Sequence, residues 1–171
     1  MSIDFSKMNL QDALDVAIFA EEDATERYED FAGQMEAHHT EEAAKFFRFM
    51  ASYEVRHAEK LRDRRQKLFG DAPANVDRSL AWGVEAPEFD EVRAFMSAKL
   101  ALDVSLEAEY KAEAFYAEAL QHVTDDDTRQ LFEQLRAQEV GHQKLLKKEL
   151  AKLPEEADLD PNDFVDEPVG Q

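Results

Sequence analysis

Residues 53–61, YEVRHAEKL, set Glu54 and His57 one helical turn apart in a run that otherwise reads as the buried face of a helix. Residues 138–146, QEVGHQKLL, write the same pair again as Glu139 and His142. The match extends upstream: FFRFMASYEVRHAEKL laid over LFEQLRAQEVGHQKLL, a shift of 85, also pairs Phe47 with Phe132. A shift of 88 lays AEEDATERY, from Ala20, over AEYKAEAFY, from Ala108, pairing Glu21 with Glu109, Ala24 with Ala112 and Tyr28 with Tyr116. The chain carries one helical hairpin twice.

Outward from the repeat, apolar residues recur at three- and four-residue intervals over 9–37, 40–69, 88–123 and 125–152, the pattern of amphipathic helices with one buried stripe each. Only five Gly and five Pro interrupt 171 residues, so helix is favoured nearly everywhere. Thr40 followed by two acids opens the second helix, Gly70 closes it, and TDDD from Thr124 opens the fourth. The first and third connections are short, which makes antiparallel hairpins. The middle one, GDAPANVDRSLAWGVEAPEF, is long enough when extended to run the length of a thirty-residue helix. The expected fold is all-α: a four-helix bundle of two hairpins joined by a long crossover, with Trp82 packed over the bundle. Residues 1–153 form this domain, and 154–171 are an acidic extension holding seven acids and no base.

Twenty Lys and Arg against 39 Asp and Glu give a formal charge of −19, which repels phosphate backbones and anionic membranes. Nucleic acid and membrane are therefore excluded as partners. The absence of cysteine rules out disulfides, thiol nucleophiles and thiolate-held iron. No basic patch followed by an apolar run opens the chain, so a cytoplasmic location is expected.

The buried stripes run Leu10, Leu14, Ala17, Glu21, Ala24, Tyr28, Phe31, Met35 in the first helix and Phe47, Met50, Glu54, His57, Leu61, Leu68 in the second. They run Phe95, Leu102, Ser105, Glu109, Ala112, Tyr116, Leu120 in the third and Phe132, Leu135, Glu139, His142, Leu146, Leu153 in the fourth. Each stripe is broken midway by one glutamate, and two carry a histidine one turn later. Four unpaired carboxylates in one core would protonate, unfold the bundle or require cations. No Lys or Arg shares these stripes, so metal ions are the natural counter-charge. Two divalent ions balance four carboxylates, with neutral imidazoles completing the donor set. Oxygen and imidazole donors without thiolate suit Fe or Mn, with Zn possible on affinity alone.

Glu21 with Tyr28, Glu54-Val-Arg-His57, Glu109 with Tyr116, and Glu139-Val-Gly-His142 resemble the ferritin-like di-iron carboxylate proteins, specifically their rubrerythrin branch, over residues 10–150; the bundle constellation is the one general descriptions of that superfamily give. The resemblance implies a centre of two Fe ions, with Mn or Zn as substitutes, that reacts with peroxide or dioxygen. It implies Glu54 and Glu139 as bridging carboxylates, Glu21 and Glu109 as terminal ones, and His57 and His142 as ligands of one metal each. Tyr28 and Tyr116 are then donors to the carboxylates, or else rings that only pack. Two features depart from the family pattern. No cysteine-ligated rubredoxin domain is present, so electrons come from a separate donor protein. Ala112 stands where a further helix glutamate is usual, and Glu107 and Glu113 are the nearest substitutes.

The function expected is an oxidoreductase reducing hydrogen peroxide or dioxygen. An iron-handling protein that oxidises, buffers or stores Fe(II) is the alternative, and an interaction module with a structural metal is a third class. A homodimer or larger assembly through an outer helix face is expected. RDRRQK, from Arg62, is an exposed basic helix end that can receive an acidic redox partner.

Overall fold

The computed structural model describes residues 4–87 and 96–153. Four helices carry the fold: α1 (Leu10–Ala37), α2 (Glu41–Phe69), α3 (Ala98–His122) and α4 (Asp126–Leu150), with no strand among the described residues. Short 3-10 turns at Phe5–Lys7 and Arg78–Ala81 complete it. The acidic extension, residues 154–171, and the stripe residue Phe95 lie outside the described residues.

Local chemistry accounts for the helix limits. Asn9 accepts the Asp12 N–H at 3.0 Å and donates its own N–H to the Asp12 carboxylate at 3.3 Å, a capping box that satisfies two orphan donors. Asp125 accepts the Thr128 N–H at 2.8 Å and opens α4. Gly70, at φ 57°, ends α2 in the left-handed region that glycine enters without a Cβ clash. Thr40 departs from expectation: it occupies the cap position of α2, but its hydroxyl donates to the Met35 carbonyl at 3.3 Å and caps no N–H. It closes the tight turn between α1 and α2 instead. The third helix also begins later than its periodicity predicts, at Ala98, where the Ser97 hydroxyl accepts the Leu100 N–H at 3.1 Å.

Two apolar clusters fill the bundle, one at each end. Phe31 and Met35 near the end of α1 join Phe47 and Met50 near the start of α2, Leu102 early in α3 and Leu146 late in α4. The other cluster gathers Leu14 and Ala17, Leu61, Tyr116 and Ala119, and Phe132 and Leu135 from the opposite ends of the same helices. Each hairpin is therefore antiparallel, and α2 runs parallel to α3. A chain leaving the end of α2 must travel the length of the bundle to start α3, so the middle connection is a crossover, as its length predicts. Phe5 seals one end edge-on to Phe115 and Phe132.

Two expected core residues are not in the core. Trp82 is 69% exposed. The inward positions of the crossover are filled by Ala81 and by Val84 to Pro87, and Trp82 lies between them on the outside. Leu68 is 53% exposed near the end of α2, where the adjacent Phe69 packs against the core instead. Arg65 turns inward there as well, donating to Asp15 at 2.5 Å and to the Ala72 carbonyl at 2.7 Å. Phe47→Ala should therefore cost about 3–5 kcal/mol of unfolding free energy, whereas Leu68→Ala should stay within about 0.5 kcal/mol. Urea unfolding of both variants checks the contrast.

Candidate metal centre

Between the two apolar clusters lies a polar layer built from the repeat. Glu21 on α1 meets Glu54 and His57 on α2; Glu109 on α3 meets Glu139 and His142 on α4. Within each triad the candidate ligand atoms lie within 4.8 Å of one another, and all six residues are buried. Each hairpin thus contributes one half-site. The halves face each other through their imidazoles, stacked at 4.9 Å with 15° between ring planes. Nδ1 is the ring atom turned to the carboxylates in both. His142 Nδ1 is hydrogen-bonded to Glu109 Oε2 at 2.9 Å and stands 3.3 Å from Glu139 Oε2. His57 Nδ1 stands 3.7 Å from Glu21 and 3.6 Å from Glu54, a looser triad.

Glu21, Glu54, Glu109 and Glu139 each bury at least one carboxylate oxygen without any hydrogen-bond partner, as do the hydroxyls of Tyr28, Tyr116 and Ser105. Such concentration of orphaned oxygens in one layer is costly unless cations occupy it. Burial pushes Glu109 and Glu139 up to about 8, with the charges of Glu54 and Glu109 respectively adding to it. Glu21 is held well above the usual carboxylate range by burial and then by Glu54. Acceptor-only oxygens and two imidazole nitrogens at close range, with no Lys or Arg among the described residues paired to them, fit divalent metal. The donor set is the one the sequence predicts for iron or manganese.

Tyr28 and Tyr116 are fully enclosed, one in each apolar cluster. Neither hydroxyl reaches a carboxylate within hydrogen-bond distance. Burial first, and then Glu109 for Tyr28 and Glu85 for Tyr116, hold both phenols well above their usual range. Glu107 is exposed and stays outside the layer. Glu113 is turned aside, accepting from Gln143 at 2.9 Å and pairing with Arg136 at 3.2 Å, so it supplies no donor.

Two residues that the stripes omit belong to this region. Tyr53 lies edge-on to both His57, at 4.8 Å, and His142, at 5.1 Å, and roofs the imidazole pair. Its signal is the four-residue spacing to His57, which puts both on one helix face. Glu85, from the crossover, is buried with both oxygens unpartnered. A linker has no helical period to show which of its side chains turn inward.

A cleft of about 160 Å³ opens between α2 and α4 and reaches Glu21 and His57. Lys60, Arg64, Gln134 and Gln138 form its polar lining, and Leu61, Leu131 and Leu135 its apolar one. Arg64 donates to Gln134 at 3.0 Å across the gap. A larger surface depression of about 550 Å³ adjoins it through Lys60 and Arg64 but contains none of the six ligands. All three arginines of the basic run from Arg62 are engaged within the chain: Arg64 with Gln134, Arg62 with Glu22 at 2.6 Å and Arg65 with Asp15 at 2.5 Å.

Fold and site together define a ferritin-like bundle with two carboxylate and histidine clusters able to hold metal. The chain belongs to the rubrerythrin family, whose model matches residues 12–150. Among solved structures it is similar to an uncharacterised conserved protein from Magnetospirillum magnetotacticum, at 27% identity and a TM-score of 0.67, over 86% of this chain and 97% of that one. It is also similar to a bacterioferritin from Rhodobacter capsulatus, described with a metal-free dinuclear site and heme iron, at 25% identity and a TM-score of 0.55, over 83% of each chain. No curated protein matches the chain. No helix among the described residues is long and apolar enough to cross a membrane.

The raised acids fix a sign for the pH dependence. With Glu21, Glu109 and Glu139 titrating higher in the folded metal-free protein than in the unfolded chain, the folded state binds more protons from about pH 4.5 up to about 8. Metal-free stability therefore falls as pH rises through that window. Metal replaces those protons, so the gap in melting temperature between metal-loaded and metal-free protein should be wider at pH 8 than at pH 5.5. Glu139→Gln should raise metal-free stability at pH 8 by on the order of 1–3 kcal/mol, because it removes a crowded charge and keeps the shape. A lower melting temperature for the glutamine variant would contradict the crowded layer.

Proposed function

We propose that the protein is a di-iron oxidoreductase that reduces hydrogen peroxide or dioxygen with electrons from a separate donor protein. The cleft between α2 and α4 carries this reading, because it leads a small molecule directly to Glu21 and His57. Its mouth is cationic, through Lys60 and Arg64, which disfavours an incoming divalent cation and admits a neutral oxidant. Bound iron supplies the one-electron changes and a coordination position for the oxidant. The residues of the chain do the rest. Glu54 and Glu139 would serve as the bridging carboxylates of such a centre, and Glu21 and Glu109 as the terminal ones. His57 and His142 present Nδ1, while Tyr53 covers the rings against water. Reduction of one peroxide to two waters takes two electrons from the donor and two protons, which reach the layer through the cleft.

A second reading, iron handling, is favoured by the likeness to a bacterioferritin and by the charge of −19, which concentrates cations at the surface. The two readings separate in one experiment. Protein loaded with two iron ions per chain and reduced without oxygen is mixed with peroxide, with and without an external reductant. Repeated turnover that requires the reductant supports the oxidoreductase. Uptake of Fe(II) well beyond two per chain, with no sustained peroxide consumption, would overturn it in favour of iron handling.

A further inference from the structure

The crossover is pinned to α1 at two points. The Gly83 N–H donates to Asp23 Oδ2 at 3.0 Å, and Arg27 Nη1 donates to the Pro87 carbonyl at 2.9 Å. Asp23 and Arg27, one turn apart, pair with each other at 3.2 Å, and Arg27 is 2% exposed. Gly83, at φ 70°, permits the chain to turn inward there. Held at both ends, Val84-Glu85-Ala86 enters the bundle. Val84 packs into the cluster around Phe132, and Ala86 into the cluster around Phe47. Glu85 stands between them, at the level where the apolar clusters part and the carboxylate layer lies.

Glu85 is 2% exposed, and neither of its carboxylate oxygens meets a hydrogen-bond donor. Burial, and then the charges of Glu21, Glu139, Glu54 and Glu109, hold its carboxyl well above the usual range. The nearby Arg27 is committed to Asp23 and Pro87. A side chain kept here for packing alone would destabilise the fold less as Gln, Leu or Met, since a buried carboxyl without a partner is unfavourable in either protonation state. The elaborate pinning and the bare carboxylate make sense together if a cation completes the contact.

We propose that Glu85 is a seventh protein ligand of the dimetal centre, a fifth carboxylate delivered by the crossover and by none of the four helices. This rests on the di-metal reading of the six helix residues. Its consequence is mechanical: metal ties the crossover to the bundle core, so loading the centre and docking the connection are one event.

Co(II) is a suitable probe, because its visible absorption reports the number and type of its ligands. The full chain and Glu85→Gln are titrated with Co(II) after removal of metal. The unsubstituted chain is expected to bind two ions, and the variant to bind about 10–100-fold more weakly with an altered spectrum. Equal affinity and an unchanged spectrum would overturn the role of Glu85 and leave the six-residue centre standing. Failure of the unsubstituted chain to bind Co(II) would overturn the di-metal reading itself, and Glu85 with it. Should Glu85→Gln not fold, amide hydrogen exchange on the unsubstituted chain decides: residues 83–87 should exchange at least about tenfold more slowly with Co(II) bound. Exchange there that ignores the metal would overturn the proposal.

Discussion

Four carboxylates are crowded into one buried layer, and among the described residues no Lys or Arg pairs with them, so everything else in the bundle has to accommodate that charge. An ionised carboxylate moved from water to a low-dielectric interior loses several kcal/mol even after relaxation, and its neighbours in the layer add repulsion. A domain of this size has roughly 5–15 kcal/mol of net stability. The layer is tolerable only if protons or cations neutralise it. Either can offset the charge, and the carboxylate and imidazole donors gathered here are of the kind that holds metal.

The architecture meets that constraint by duplication. One hairpin brings a Glu from its first helix against a Glu and His from its second; two such hairpins, face to face, give paired half-sites from six helix residues. Apolar clusters above and below hold the helices in register, so the ligand atoms are positioned by the packing of Phe31, Phe47, Phe132 and Leu135 more than by contacts among themselves. The copies are not equivalent. The second triad is closed, with His142 hydrogen-bonded to Glu109 at 2.9 Å, while the first is looser and is the one the cleft reaches. The cleft between α2 and α4 opens on the less tightly closed half-site.

What the sequence discloses follows from periodicity. Glu21, Glu54, Glu109 and Glu139 were legible because each interrupts an apolar stripe at the same height, and the repeat made accident an unlikely source of all four. The hairpins and the crossover were legible from connection lengths. Where no period exists, sequence is silent about direction: Glu85 and Trp82 sit three residues apart in one linker, and the acid turns in while the large aromatic stays out. Stripes also do not show which of two adjacent apolar residues near a helix end turns inward: Leu68 lies in solvent and Phe69 packs against the core. Tyr53 was hidden by its position beside a stronger motif.

Two metal ions between the half-sites would neutralise this layer, and anomalous diffraction from crystals of the iron-loaded protein, recorded at the iron edge, would locate them. Two peaks about 3.5–4 Å apart are expected, one beside His57 Nδ1 and one beside His142 Nδ1, with Glu54 and Glu139 between them. A layer without anomalous density, its carboxylates paired only with one another or with water, would show that metal does not neutralise it.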